Sequence, residues 1–282
     1  MKKSTLKFFW ILIIIMVKMT SVTHAQNKVL FLVAGQSNAV GQGNKDSSVS
    51  CSTHTAFEYR MNDDSLLPLQ DPAGEEWQYF QPANTGSFIP AFAKQYHGKT
   101  GKQVVIISAA RGGSSCNARA ELENYGTWAA KGNVPLFENA LIKTKQAMQY
   151  SGLPLSGVIW CQGERDANAI NTGQLTAIEY EDALIDLIGR FRKALGETLP
   201  FYIIQTGYYK NHAREGFNGV RKAQELVAEH LPNTFLVYKN TADFEKLGWM
   251  KDEIHYSQQG LNDIGEKMAS FIASIEKTNT NN

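Results

Sequence analysis

The chain has 282 residues, of which 43% are hydrophobic and 20% charged, so it is long and apolar enough to bury a sizeable core and is not expected to be disordered. The formal charge is +1, but Lys2, Lys3, Lys7 and Lys18 lie among the first 25 residues with no acidic partner. Without these four lysines, 24 basic residues face 27 acidic ones, a net charge of −3. Nucleic-acid binding needs a clustered basic surface, so nucleic acid is excluded as an expected partner.

The first 25 residues are typical of a secretory signal peptide. Lys2 and Lys3 precede an apolar stretch at 8–17, and Thr23-His24-Ala25 matches the pattern that signal peptidase recognises. The ten apolar residues fall well short of the roughly 20 that a membrane-spanning helix needs. We therefore expect a signal peptide at 1–25, a secreted or periplasmic mature protein, and no membrane contact after cleavage.

Five short apolar runs bounded by turn residues are typical of strands buried on both faces. They lie at 29–34, 104–110, 157–161, 201–206 and 235–238. Stretches with helical spacing of apolar residues lie at 136–147, 180–191, 220–227 and 261–275. Strands that alternate with helices predict a parallel sheet covered on both faces. We expect an α/β fold, a three-layer α/β/α sandwich with a five-stranded parallel sheet, formed by 26–277 as one domain and followed by a disordered tail at 278–282.

Two segments interrupt this alternation. Residues 42–91 are rich in Ser, Asp, Pro and Gly without a sustained period, and 114–134 form a shorter insertion. Insertions of this length are usually functional or contain small elements of their own. Their aromatic residues either line a saccharide cleft or pack the insertions onto the domain: Trp77, Tyr79, Phe80, Tyr125 and Trp128.

Polar residues stand where the predicted strands end. They form the runs Gly35-Gln36-Ser37-Asn38-Ala39, Arg111-Gly112-Gly113-Ser114-Ser115, Gln162-Gly163-Glu164-Arg165-Asp166 and, before the last helix, Asp252-Glu253-Ile254-His255. Ligands of an open parallel sheet bind outside the carboxyl ends of its strands, so we expect these runs to meet on one rim. A serine, flexible glycines, a side-chain amide and an Asp/His pair are the parts of an acyl-transfer site.

Each of these residue types has a defined part in such chemistry. The hydroxyl of Ser37 is a poor nucleophile until an imidazole removes its proton, and His255 is the candidate base. Asp252, three residues earlier, can reach the second imidazole nitrogen. Candidate oxyanion donors are the N–H groups of Ser37 and Gly113 and the amide of Gln162, and each such donor is commonly worth about 3–4 kcal/mol. Singly, each piece also fits an ordinary turn, and their joint occurrence favours a serine esterase.

The runs at 35–39, 112–115, 160–167 and 252–255 resemble the conserved blocks of the SGNH hydrolase superfamily, whose fold is flavodoxin-like. The closer similarity is to its sialate O-acetylesterase-like branch, which includes the family 6 carbohydrate esterases such as acetylxylan esterases. The similarity covers residues 28 to about 271 in the expected order, and it includes Val220-Arg221-Lys222-Ala223-Gln224.

The resemblance implies Ser37 as nucleophile, His255 as base and Asp252 as its orienting acid. It implies Gly113 as the oxyanion glycine, and Gln162 where many members of the superfamily have an asparagine.

Glu164 belongs to the same block and has several open roles: it orients Gln162 or Arg111, or it competes with Asp252 as the partner of His255. The remaining expected site residues are the supporting Gln36 and Asn38 and the substrate-binding Arg111, Tyr208 and Tyr209.

The expected function is a secreted serine esterase that removes O-acetyl groups from carbohydrate through a Ser-His-Asp triad and an acyl-enzyme. No cofactor is expected, and since no CxxC or HExxH spacing occurs, no metal either. Two alternatives stay open: a non-catalytic secreted carbohydrate-binding protein of the same fold, and an esterase for non-carbohydrate acyl esters. The pairing of Cys51, Cys116 and Cys161 and the oligomeric state also stay open.

Overall fold

The computed structural model describes residues 28–280, which fold around a central sheet. Its strands are β1 (Lys28–Gly35), β2 (Ala56–Arg60), β3 (Ser65–Pro68), β4 (Gln103–Ala110), β5 (Leu155–Cys161), β6 (Phe201–Ile204) and β7 (Thr234–Tyr238). Their order across the sheet is β3-β2-β4-β1-β5-β6-β7. All neighbouring strands are parallel except β2 and β3, which are antiparallel. The predicted signal peptide lies outside the described residues.

Helices cover both faces of this sheet. They are α1 (Ser37–Val40), α2 (Ile89–Thr100), α3 (Leu136–Ser151), α4 (Glu164–Asn171), α5 (Ala177–Leu195), α6 (Glu215–His230), α7 (Phe244–Leu247) and α8 (Gln258–Thr280). Helices α3 to α6 pack on one face in a core that includes Leu30 and Leu32 of β1. The other four helices pack on the opposite face with Phe31 and Val33. Alternate residues of β1 are thus buried on both sides, which explains its unbroken apolar run.

The α/β fold and its mostly parallel sheet are confirmed, but the prediction of five strands is wrong, because the sheet has seven. The two additional strands, β2 and β3, lie within the irregular segment 42–91. They are short, and at the edge of the sheet β3 is half exposed and ends at Pro68. A short edge strand has no continuous apolar run, so the pattern that identified the buried strands did not detect it.

Two further expectations concern the chain end and the cysteines. Helix α8 extends to Thr280, and the expectation of a disordered tail at 278–282 stays a prediction. All three cysteines are free thiols. Cys116 belongs to the core on one face of the sheet and Cys51 packs against the core on the other, so they are not bridged. Between residues 28 and 280, no helix is both long and apolar enough to cross a membrane.

Candidate active site

A close approach of two strands sets the position of Ser37. Gly35 ends β1 with φ of +138°, and a Cβ there would lie 2.1 Å from the carbonyl oxygen of Cys161 at the end of β5. Only glycine fits this contact. The next residue, Gln36, donates its backbone N–H to the same carbonyl at 3.0 Å. The chain then turns into α1, whose first residue is Ser37 at the carboxyl edge of the sheet.

Ser37, His255 and Asp252 form a continuous hydrogen-bonded chain. The Oγ atom of Ser37 lies 3.0 Å from Nε2 of His255, a residue 218 positions later. The Nδ1 atom of His255 lies 2.8 Å from Oδ2 of Asp252. Because a carboxylate only accepts hydrogen bonds, Nδ1 carries a proton, and in the neutral imidazole Nε2 is then the acceptor that faces the serine hydroxyl. Ser37 is 9% exposed, so its side chain is close to solvent without projecting into it.

The Asp252 carboxylate also fixes the backbone of its own loop. Its Oδ1 atom accepts the N–H groups of Ile254 at 2.9 Å and His255 at 2.8 Å. Partial burial alone would raise the pKa of Asp252, but these two N–H groups and the His255 side chain outweigh it, and the pKa is lower than usual. The carboxylate is therefore held in its charged form, which suits an acceptor for Nδ1–H.

Asn38 joins the serine turn to the histidine loop. Its Nδ2 atom donates to Oε1 of Glu164 at 2.8 Å and to the carbonyl of Ile254 at 3.3 Å. Its Oδ1 atom accepts the N–H of Tyr256 at 3.2 Å. Residues on both sides of His255 are thus bonded to the residue that follows Ser37.

Glu164 is fully enclosed at the start of α4. Burial raises the pKa of its carboxyl, partly offset by the hydrogen bond from Asn38. The hydroxyl of Tyr256 also approaches its Oε1 atom, at 3.4 Å. Its hydrogen bonds within residues 28–280 do not include His255, whereas Asp252 contacts the imidazole directly.

Gln36 supports the site from its other side. Its Oε1 atom accepts the N–H groups of Gly163 and Arg165, each at 3.2 Å. These are N-terminal N–H groups of α4, and the helix has no side-chain cap from its own N-cap residue, Gly163. A side chain from the end of β1 therefore caps the helix that carries Glu164.

The glycine loop after β4 faces Ser37. A Cβ on Gly112 would lie 3.8 Å from the Cβ of Ser37, so this backbone passes directly beside the serine. The N–H of Gly112 is occupied, since it donates to Oε1 of Gln81 at 2.8 Å. The N–H groups of Gly113 and Ser37 have no acceptor within residues 28–280. The N–H of Ser37 itself and that of Gly113, the next residue of the loop, are thus available to a ligand.

Ser114 fixes the end of this loop. Its Oγ atom donates to the carbonyl of Gly35 at 3.2 Å and accepts the indole N–H of Trp128 at 3.1 Å. The loop is therefore bonded to the end of β1, next to Ser37.

Gln162 is completely buried, and both hydrogens of its amide have protein acceptors. Its Nε2 atom donates to the carbonyl of Ser114 at 3.2 Å and to the carboxylate of Asp166. The expectation that Gln162 donates to an oxyanion stays a prediction, since its observed contacts brace the glycine loop. Asp166 also accepts the N–H groups of Cys116 and Asn117, each at 2.9 Å. Burial raises the pKa of Asp166 to about 6, partly offset by these donors.

Arg111 directs its guanidinium at backbone carbonyls. It donates to the carbonyls of Tyr79 at 2.9 Å, Asn124 at 2.8 Å and Tyr125 at 3.0 Å. Its expected contact with substrate stays a prediction, and its observed contacts join the two insertions.

Tyr208 and Tyr209 lie in the loop after β6, alongside the histidine loop, because Lys210 N–H donates to the carbonyl of Glu253 at 2.8 Å. The ring of Tyr208 is covered by the Arg214 guanidinium, 4.5 Å from its centroid. Tyr209 stacks on His212 with centroids 3.5 Å apart. Both rings thus have partners within the protein.

The arrangement provides the Ser37 hydroxyl, the His255 imidazole that can take its proton, the Asp252 carboxylate that accepts Nδ1–H, and N–H donors without acceptors. These are the groups that attack on an ester carbonyl needs. In the described part of the chain, no group of three or more His, Cys, Asp or Glu side chains is placed to hold a metal ion.

Two residues of this site, Gln81 and Asp166, had no role predicted from the sequence. The position of Asp166, four residues after Gln162, was the available signal. Gln81 lies in the irregular insertion, where nothing in the sequence distinguishes it.

Three solved structures share the fold of this chain. An Arabidopsis thaliana protein superposes with a TM-score of 0.65 at 19% identity, covering 88% of this chain and 98% of its own. NanS gives a TM-score of 0.61 at 15% identity, covering 89% of this chain and 98% of its own. A carbohydrate acetylesterase from Xanthomonas citri gives 0.56 at 22% identity, covering 86% of this chain and 55% of its own. No curated protein matches the chain.

A known family matches a similar share of the chain. The family described as carbohydrate esterase, sialic acid-specific acetylesterase, matches residues 27–274, which is nearly all of the sequence. The chain belongs to this family of carbohydrate esterases.

Proposed function

We propose that the protein is a serine esterase that removes O-acetyl groups from carbohydrate through Ser37, His255 and Asp252. The observation that carries the proposal is the 3.0 Å contact between Ser37 Oγ and His255 Nε2, continued at 2.8 Å to Asp252. Membership of the carbohydrate esterase family supports the class of substrate.

In the proposed first half-reaction, Ser37 Oγ attacks the acetyl carbonyl carbon while His255 Nε2 takes the hydroxyl proton. Asp252 stabilises the imidazolium through Nδ1–H. The oxyanion accepts the free N–H groups of Ser37 and Gly113. Collapse of the tetrahedral intermediate breaks the ester C–O bond, and His255 returns the proton to the departing sugar oxygen.

In the second half-reaction, a water molecule attacks the acetyl-serine with His255 again as base. The new oxyanion forms in the same place, acetate leaves, and Ser37 regains its proton. Every proton that the imidazole takes is returned within the cycle, so the proposed chemistry needs no cofactor.

The hydrogen bonds of Asp252 and Glu164 also support different roles for these two carboxylates. Asp252 bonds the imidazole, so we assign it the orienting role. Glu164 bonds Asn38, so we assign it to positioning the serine turn relative to the histidine loop. Within the family, we propose that the substrate is acetylated xylan, as in the acetylxylan esterase-like branch, or an O-acetylated sialic acid. Acetate release from acetylated xylan, sialic acid and pectin distinguishes these substrates.

We further propose that the protein is secreted or periplasmic and that residues 1–25 are removed. The support is the lysine pair at Lys2 and Lys3, the apolar stretch at 8–17 and the site ending at Ala25. N-terminal sequencing of the exported protein is expected to begin at Gln26.

Covalent labelling tests the mechanism. A fluorophosphonate is expected to label the wild type at Ser37 and to leave Ser37→Ala unlabelled, and Ser37→Ala is expected to release no acetate from an aryl acetate. An unlabelled, inactive wild type would instead support a carbohydrate-binding protein without turnover. Activity on aryl acetates and acyl lipids but on no acetylated glycan would support an esterase for non-carbohydrate esters.

A further inference from the structure

Two exposed tyrosines belong to the insertions that Arg111 joins beside the glycine loop. Tyr125 is 46% exposed and Tyr79 is 36% exposed. Other aromatic residues of the same insertions are buried: Phe80 is 1% exposed, and Trp128 is fully enclosed and packs against Trp160. The insertions thus divide their aromatic residues into rings that build the core and rings that face solvent.

The ring of Tyr125 lies against Gly113. A Cβ on Gly113 would lie 2.6 Å from Cδ1 and 3.0 Å from Cγ of this ring, and Gly113 has φ of +75°. Only glycine allows the ring to pack so closely on the loop backbone. An exposed aromatic surface therefore adjoins the residue whose free N–H is proposed to bind the oxyanion.

The Arg111 guanidinium holds the backbone under both rings. It donates to the carbonyls of Tyr79, Asn124 and Tyr125 at 2.8–3.0 Å, so it joins segments from the two insertions. Arg111 itself follows β4 and precedes Gly112, and its N–H donates to the carbonyl of Gly35. The two tyrosines are thus anchored to the same framework as Ser37, which limits the entropy lost when a ligand binds them.

A polar groove borders the same region. It has a volume of about 380 Å³, and its lining combines the polar residues Gln42, Glu76, Gln81 and Asn84 with the smaller apolar residues Val40, Pro82 and Ala83. Gln81 connects the groove to the site, because its Oε1 atom accepts the N–H of Gly112. Amide and carboxylate groups match sugar hydroxyls, whereas a long acyl chain would need an apolar lining.

We propose that Tyr125 and Tyr79 form a subsite for the sugar ring that carries the acetyl group. The apolar face of the ring packs on the tyrosines, and its hydroxyls face the polar groove. This inference rests on the proposed function, since it concerns the substrate of the same esterase site.

The test compares a ring-containing acetate with one that has no ring. We measure kcat/KM for methyl acetate and for the faster of two glycan acetates, an acetylated xylo-oligosaccharide and O-acetylated sialic acid. Aryl acetates are avoided because their own ring would stack on tyrosine. Tyr125→Ala is expected to lower kcat/KM about tenfold for the glycan acetate and leave methyl acetate within about twofold. Tyr79→Ala is also expected to lower kcat/KM more for the glycan acetate than for methyl acetate.

Two further variants complete the design. Tyr125→Phe keeps the ring and is expected to retain most of the activity on the glycan acetate. Tyr150→Ala is the matched control, because Tyr150 is 47% exposed but lies far along the strands from the site. It is in the last turn of α3, just before β5 begins, whereas Ser37 follows the carboxyl end of β1. It is expected to match the wild type on both substrates.

Each outcome decides the proposal. An equal loss on both substrates with Tyr125→Ala would make Tyr125 a support of the glycine loop and overturn the subsite, as would no loss on either. A wild type that hydrolyses methyl acetate but neither glycan acetate would overturn the subsite together with the carbohydrate part of the proposed function, and would leave the serine esterase mechanism standing. A wild type that hydrolyses none of the three would instead be the failure of the proposed function.

Discussion

The Nδ2 atom of Asn38 donates to Oε1 of Glu164 at 2.8 Å, across 126 residues of sequence. Both side chains are buried, and Asn38 also bonds the backbone on either side of His255. The Asn38 amide therefore joins the serine turn to the histidine loop without contacting either reacting atom. A residue of this kind is expected to affect catalysis through geometry.

Replacing Asn38 tests that expectation. Asn38→Ala removes three hydrogen bonds and leaves Glu164 without its closest donor. Loss of a partner for a buried polar group costs about 1–3 kcal/mol of folding free energy, and displacement of a catalytic group by about 1 Å can cost about 100-fold in rate. We expect kcat on an aryl acetate to fall by roughly that factor with KM little changed.

The control for Asn38 is Asn139→Ala. Asn139 lies on α3, and within residues 28–280 its side chain donates to the carbonyl of Pro135, four residues away, so wild-type kinetics are expected. A normal kcat for Asn38→Ala, with a lowered melting temperature, would limit Asn38 to a structural role.

Asp252→Asn separates the two candidate acids. An amide nitrogen facing Nδ1 of His255 favours the wrong tautomer, and such a change lowers kcat about 10⁴-fold in a comparable triad. The Asp252 side chain is 45% exposed, so the variant is expected to melt at the wild-type temperature. Steady-state kinetics and thermal unfolding measure the two effects. A near-wild-type rate here, together with a severe loss in Glu164→Gln, would assign the acid role to Glu164.

Gln162→Ala distinguishes an oxyanion donor from a brace. Removal of the amide leaves the Ser114 carbonyl without its donor and takes from the Asp166 carboxylate one of its three, in a fully buried region. We expect both kcat and the free energy of unfolding to fall, the latter by about 1–3 kcal/mol. A loss of kcat at unchanged stability would indicate direct donation to the oxyanion, and an effect confined to KM would exclude both roles.

A buried carboxyl far from the serine gives a prediction for pH. Burial raises the pKa of Glu58 from its ordinary value of 4.5 to about 7, although Arg60 and the N–H of Gly74 partly oppose this. Because the folded state holds this proton more tightly, the stabilisation is complete below pH 4.5 and is lost as pH rises through 7. Each pKa unit corresponds to about 1.4 kcal/mol, so wild-type stability is expected to fall by roughly 2–3 kcal/mol between about pH 5 and pH 8 from this group alone.

Glu58→Gln imitates the protonated form and is expected to remove most of that decline in denaturant unfolding at the two pH values. Glu229→Gln, on the exposed surface of α6, is the control and is expected to follow the wild type. Parallel stability curves for Glu58→Gln and wild type would refute the assignment.

The buried strands could be predicted because each is a continuous apolar run, and the five runs correspond to β1, β4, β5, β6 and β7. The order of residues at strand ends also predicted a meeting of Ser37 and His255, since parallel strands end on one edge. Strands β2 and β3 were not predicted because they have no local apolar pattern. They are strands because β2 pairs with β4 and β3 pairs with β2.

The remaining details depend on contacts between distant segments. The amide of Gln162 could face an oxyanion or the protein, and only the position of Asp166 and Ser114 decides which contacts it makes. The Arg111 guanidinium acquires its acceptors when two irregular insertions meet. Gln81 contacts Gly112 across 31 residues for the same reason.

The carbonyls that Arg111 binds belong to the main chain, and every amino acid has one. Side chains at 79, 124 and 125 can therefore be exchanged while the anchorage beneath them persists. This rim is suited to laboratory evolution: a library confined to these three positions would sample new ester preferences on a scaffold whose folding it barely disturbs.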